Sequence, residues 1–144
     1  MFTESIDNRL SDWVSHRREL DSSENPLQDV WDFWSHAPFI PYNKKIDPYF
    51  QKNWPTPWEI IVDNKYDDFT KALMIGWTLK LTKKFRDSKI EIKTLVDVDT
   101  PREYNVVCID DEWALNFDDN GPILMKTISS HFRLENLIEV NAPR

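Results

Sequence analysis

Asp63 to Leu81 reads DNKYDDFTKALMIGWTLKL, and this stretch decides the fold. Set at about 100° per residue, Asp67, Lys71, Thr78 and Thr82 fall in one narrow polar stripe. Phe69, Ala72, Leu73, Met74, Ile75, Trp77, Leu79 and Leu81 cover the rest of the circumference. A surface helix buries one face, whereas a helix apolar nearly all round is enclosed on several sides. The spacing predicts one buried helix with an acidic first turn, and the remaining chain must supply its cover.

Upstream, Ile6, Leu10, Trp13, Val14 and Leu20 recur at helical spacing, which predicts an amphipathic helix over residues 5–20. The SSENP break follows, with Asn25 placed to cap and Pro26 to start a short second helix carrying Leu27, Val30, Trp31 and Trp34. Prolines 38, 41, 48, 55 and 57 keep residues 37–57 extended or turning, because each fixes φ and disfavours helix just before it. Thr56, Pro57 and Glu59 then form a capping-box sequence that opens another helical turn.

Downstream the period changes from 3.6 to 2. Ile90, Ile92, Val96 and Val98 alternate with Glu91, Lys93 and Asp97, as on a strand with one wet face. Residues 104–109 are more apolar and read as a central strand. Asp110-Asp111 turns the chain into a third strand, where Trp113, Leu115 and Phe117 alternate with Glu112, Ala114 and Asn116. After Asp118-Asp-Asn-Gly121 the expectation is a short helix near 122–131 and a strand near 134–140. The whole is a single α+β domain, 1–144, with N-terminal helices (1–36), a Pro/aromatic-rich arm (37–57), a central helix region (58–86), antiparallel strands (89–118) and a C-terminal segment (119–144).

Composition narrows the function classes. A formal charge of −7 argues against direct binding of nucleic acid or an anionic membrane, since both depend on Lys and Arg. No apolar run approaches the roughly 20 residues of a membrane span, and MFTESIDNRL lacks the pattern of a signal peptide. The lone Cys108 fits a reducing compartment. His16, His36 and His131 are scattered, so neither a metal site nor a cofactor is expected. Asn116 to Gly121 has only the first half of a calcium-loop spacing, with Thr127 where the bidentate Glu belongs, and reads as an acidic turn. Glu91-x-Lys93 reads as alternating charge on a strand rather than a nuclease element. Asp67-Asp68 suits a helix start, where the dipole favours negative charge.

The order of these features resembles the transglutaminase-like cysteine proteases of bacteria, within the papain-like group. Those carry W-x-T-P-x-E-x-L, then G-D-C-E-D-[FY] opening a buried helix, then H-A-V and D-G-x-[WY]-x-L-D on successive strands. Here the segments are Trp54-Pro-Thr-Pro-Trp-Glu-Ile-Ile61, Asn64-Lys-Tyr-Asp-Asp-Phe69, Tyr104-Asn-Val-Val107 and Asp110-Asp-Glu-Trp-Ala-Leu-Asn116. The match covers residues 50–118. It implies a transglutaminase-like fold whose triad positions hold Tyr66 for the Cys, Tyr104 or Asn105 for the His, and Asn116 for the Asp. A phenol with an ordinary pKa near 10 and no adjacent base is a poor nucleophile, so no enzyme activity is expected. Tyr66, set on the helix face of Phe69, Leu73 and Trp77, would plug the former site.

The expected function is therefore a non-catalytic binding or structural module with a protein partner. Tyr42, Tyr49, Phe50 and Trp54 on the Pro-rich arm are the candidate anchors, since Trp and Tyr are common interface hot spots. The small, acidic, Gly-poor make-up resembles many tailed-phage proteins, which would place the chain in a virion or in the host cytoplasm against a host protein. The rival expectations are an acidic inhibitor imitating nucleic acid, with its 25 carboxylates on one face, and an enzyme with an unrecognised site.

Overall fold

Four α-helices come first in the chain: α1 (Ile6–Ser22), α2 (Pro26–Trp34), α3 (Pro57–Asp63) and α4 (Asp68–Lys80). Five strands follow: β1 (Ile90–Asp97), β2 (Glu103–Ile109), β3 (Trp113–Asp118), β4 (Gly121–Leu124) and β5 (Phe132–Glu139). The computed structural model describes residues 1–143. The strands form one antiparallel sheet in the order β4-β3-β2-β1-β5, so β2 is central, as its apolar sequence requires. The α+β class is what the change of period indicated.

α4 lies across β1 and β2, α2 packs on α4 and reaches β4, and α1 joins α2 to α3. Ala72, Leu73, Met74, Ile75 and Leu79 of α4 are wholly buried against Ile90, Ile92, Val107 and Leu115 of the sheet. The capping box at Thr56 forms as the sequence indicated: Thr56 Oγ1 accepts from the Glu59 amide at 3.3 Å, and the Glu59 carboxylate accepts from the Thr56 amide at 3.1 Å. Such a cap contributes about 1 kcal/mol.

The central helix does not run from Asp63. Asn64 adopts the left-handed conformation (φ 57°) and closes α3. Tyr66 is then drawn into an isolated bridge with the Pro-rich arm: its amide donates to the Pro38 carbonyl at 3.1 Å, and its carbonyl accepts from the Ile40 amide at 3.0 Å. Backbone groups committed to another segment cannot join a helix, so α4 starts only after Asp67, its N-cap. The narrow polar stripe on this helix is enclosed as well. Thr78 and Thr82 are buried, and both hydroxyls bond inside the protein.

Three further expectations are corrected. Asn25 makes no capping hydrogen bond with its side chain; instead Ser23 Oγ accepts from the Asn25 amide at 3.0 Å. β1 has no wet face. Leu95 joins Val106, Cys108 and Ala114 in a second cluster on the far side of the sheet, under Met125, Ile128 and Phe132. Glu91 is buried there beside Lys89, whose Nζ lies 3.7 Å from the carboxylate, while Val98 falls beyond the strand and is exposed. Residues 122–131 form no helix: Gly121–Leu124 is an edge strand, followed by one 3-10 turn at Met125–Thr127. Pro122 has no amide to donate, and an edge position tolerates that. The last strand does form, and it returns across the sheet to pair with β1.

β3 departs from simple alternation at Asn116, which sits at φ 65° where the β3–β4 register shifts. Leu115 faces the helices, and the irregularity lets Asn116 reach the same side, while Phe117 turns to the far cluster. That local kink assembles the site described next.

Candidate binding groove at the start of the central helix

The first residues of α4 meet β1, β2 and β3 at one corner of the sheet. Asp67 caps the helix, with Oδ1 accepting from the Thr70 amide at 2.7 Å and Oδ2 from the Asn43 amide of the arm at 2.9 Å. Asp68 faces the sheet. Its Oδ2 accepts from the Asn105 amide at 3.1 Å and from Asn105 Nδ2 at 2.9 Å, and its Oδ1 accepts from Asn116 Nδ2 at 3.2 Å. Asn116 Nδ2 also donates to the Asn105 carbonyl at 2.9 Å, and Asn105 Oδ1 accepts from Thr94 Oγ1 at 2.9 Å. One network thus links α4, β1, β2 and β3.

Asn105 and Asn116, singled out in sequence, are brought together; Tyr66 and Tyr104 are not. Tyr104 points to the far side of the sheet, where its ring lies 5.2 Å from Phe117 and 5.6 Å from Phe132. Tyr66 sits before the helix, not on its Phe69–Leu73–Trp77 face. It is buried among Phe2 and Trp34, with ring centroids 5.7 and 5.5 Å away. Burial pushes its phenol well above the usual tyrosine range, and its hydroxyl is buried without a hydrogen-bond partner among the described residues. A buried unpaired hydroxyl costs free energy. Tyr66→Phe is therefore expected to leave the melting temperature unchanged or to raise it; a drop of more than about 1 kcal/mol in urea unfolding would show a polar role for the phenol.

Asp68 takes the central place that the sequence gave to Tyr66, two residues earlier. The signal for it was present: an acidic pair at a helix start and an Asn on each of two successive strands.

The network opens into a groove of about 470 Å³ between the arm and the sheet. Tyr42, Tyr49 and Phe69 supply aromatic walls, and Asp47, Asp68 and Glu103 supply carboxylates. No Lys, Arg or His lines it, and among the described residues Asp47, Asp67, Asp68 and Glu103 have no ion-pair partner. Partial desolvation, followed by the neighbouring Glu135 carboxyl, raises the pKa of the exposed Glu103 carboxyl.

The Pro-rich arm is pinned at intervals and exposed between the pins. The Phe39–Tyr66 bridge, the Asn43–Asp67 bond and buried Ile46 fix its course. Trp54 is another pin rather than a free anchor. Its indole donates to the Asp47 carbonyl at 2.6 Å, and its ring lies 5.7 Å from Phe69 and 6.2 Å from Trp77. Tyr42, Tyr49 and Phe50, by contrast, stand 60–69% exposed. Exposed Phe39 adjoins them in sequence at 70%.

Other groups bear on chemistry less. Burial raises the Cys108 thiol to about 11, and it sits 3.4 Å from Met125 Sδ in the far cluster, as an inert thiol does. His131 is not isolated, as it looked in sequence, because β1–β5 pairing brings it to Asp97. Its Nε2 lies 2.7 Å from Asp97 Oδ1 and 3.3 Å from Asp99 Oδ2. Asp97 Oδ1 also accepts from the Asp99 and Thr100 amides, so these groups satisfy one another across a turn. The Asn116–Gly121 segment is a tight hairpin connection, with Asp118 Oδ1 accepting from the Asn120 amide at 2.8 Å and the Asn116 side chain turned inward.

No protein-family model, curated protein or solved structure matches the chain significantly. Among the described residues no helix is long and apolar enough to cross a membrane.

Proposed function

We propose that this chain is a non-catalytic protein-binding module on a transglutaminase-like scaffold, with the groove at the start of α4 as its binding surface. The single observation that carries this reading is the Asp68 carboxylate, held by three donors from Asn105 and Asn116. In the family resembled, a thiolate at a helix start works with an imidazole and a carboxylate on successive strands. Here the corresponding corner holds a carboxylate and two amides. A carboxylate whose lone pairs are engaged by three amide donors is a weak nucleophile and a weak base, and neither a thiol nor an imidazole lines the groove beside it. The groove is left as a shaped, charged and partly aromatic surface, which suits recognition.

The test is turnover. Incubated with ester and amide substrates, the unmodified protein is expected to release no product above the rate in buffer. Tyr66→Cys is also expected to show no thiol-dependent hydrolysis, because the new thiol would be enclosed by Phe2 and Trp34 away from the groove. Turnover by the unmodified protein that disappears in Asp68→Asn would overturn the reading and make Asp68 a catalytic group.

A further inference from the structure

We propose that the groove receives a lysine or arginine side chain presented by a partner protein. This rests on the binding-module reading above and names the chemistry of its occupant. The argument begins with charge. The lining holds Asp47, Asp67, Asp68 and Glu103 with no cation among them, although the chain has 18 Lys and Arg to distribute. Oxygen atoms on Asp67 and Asp68 are occupied by neutral donors, which satisfy hydrogen bonding and leave the negative charge in place. Glu103 is exposed and lies beside Glu135; partial desolvation first, then the neighbouring carboxyl, raise its pKa. An entering cation relieves that crowding, whereas an anion or a neutral apolar group does not.

Shape and surface agree with the same occupant. Tyr42 and Tyr49 line the groove and are more than two-thirds exposed, which is unusual for residues with so much apolar area. Faces of aromatic rings attract a guanidinium or ammonium, and their flanks bury its methylene stem. Phe50 follows Tyr49 in the chain and is also exposed, which adds aromatic surface for the residues that flank the basic side chain. The arm that carries these rings is anchored on Asp67 through Asn43, so walls and carboxylates are held in one geometry before the partner arrives.

The experiment is an amide chemical-shift titration of the full chain with end-blocked pentapeptides Ala-Ala-X-Ala-Ala, where X is lysine, arginine, norleucine or glutamate. Lysine and arginine peptides are expected to shift resonances around Tyr42, Tyr49, Glu103 and Asn105. Norleucine, which keeps the stem and lacks the charge, should bind at least about tenfold more weakly, and glutamate not at all. Tyr49→Ala and Glu103→Gln should each weaken the lysine peptide about threefold. Both side chains are exposed, so neither should lower the melting temperature, and Glu103→Gln should if anything raise it by relieving the Glu135 contact. Equal binding of norleucine, shifts scattered over the acidic surface, indifference to both variants, or no binding by any peptide would each overturn the proposal. Mass spectrometry of the same samples separates the two readings. Cleavage of a groove-bound lysine peptide would end the non-catalytic reading and leave the basic occupant standing.

Discussion

Thr78→Val is expected to lower stability by about 3 kcal/mol, although the two side chains have nearly the same shape. Thr78 Oγ1 accepts from the indole of Trp13 at 3.0 Å and from that of Trp34 at 3.1 Å, while its own proton goes to the Met74 carbonyl. All three side chains are fully buried, so no water can replace the lost acceptor. Each stranded donor costs about 1–3 kcal/mol, and valine strands two of them. One hydroxyl on α4 therefore fixes α1 through Trp13 and α2 through Trp34. For a domain of this size the melting temperature should fall by about 10 °C.

Thr78→Ser is the control. It keeps the oxygen and removes one buried methyl, at a cost of about 1 kcal/mol. Equal losses for valine and serine in urea unfolding would show that volume, not the shared acceptor, matters here. A double-mutant cycle adds a second check. Trp13→Phe should cost less in the Thr78→Val background than in the parent, because its indole N–H has already lost its partner.

Thr78 also marks where the sequence stopped being legible. Angular position at 3.6 residues per turn gives the direction in which a side chain points, but not what will cover it. The spacing predicts that α4 is covered on several sides, but nothing local shows that α1 and α2 close over the stripe at Thr78 with two tryptophans. Local signals are legible: the Thr56 capping box, the two-residue period of β1 and the apolar run of β2 are properties of neighbouring residues. Periodicity does not show the start of α4, because two stops act there at once, a left-handed Asn64 and a Tyr66 backbone claimed by the arm. The first stop is visible as Asp63-Asn64, whereas the second depends on a residue more than twenty positions away. At the site, Asn105 and Asn116 are legible as partners only through the family resemblance, because the β2–β3 ladder pairs Val107 with Leu115 and it is the kink at Asn116 that turns its amide to Asn105. The family resemblance puts the weight on Tyr66, two residues before the Asp68 carboxylate that the Asn side chains hold. The Asn116 kink was hidden for a plainer reason, since an asparagine at a positive φ looks like any other residue in an alternating run.

Acidification should destabilise the protein through His16, with a sign and window that follow from burial. His16 on α1 stacks on Phe33 of α2, with ring centroids 4.0 Å apart and planes within 9°. Its Nε2 is buried and has no hydrogen-bond partner among the described residues. Burial lowers its pKa to about 4, partly offset by the attraction of Asp29. In the unfolded chain the same imidazole titrates near 6.5. The unfolded state therefore takes up the proton first as pH falls. Stability from the neutral imidazole is fully present above about pH 6.5 and drains away towards pH 4. The loss is on the order of 1 kcal/mol by pH 5.5 and 3 kcal/mol by pH 4. Carboxylates titrate in part of the same range, so the measurement has to be a difference. His16→Leu keeps an apolar contact with Phe33 and removes the proton site, while every carboxylate remains. Urea unfolding of both proteins at pH 7, 5.5 and 4 should show the parent losing about 3 kcal/mol more than the variant across that span. Parallel curves would mean that His16 reaches solvent or a partner when charged, and that α1 and α2 part more easily at this contact than their stacked rings imply.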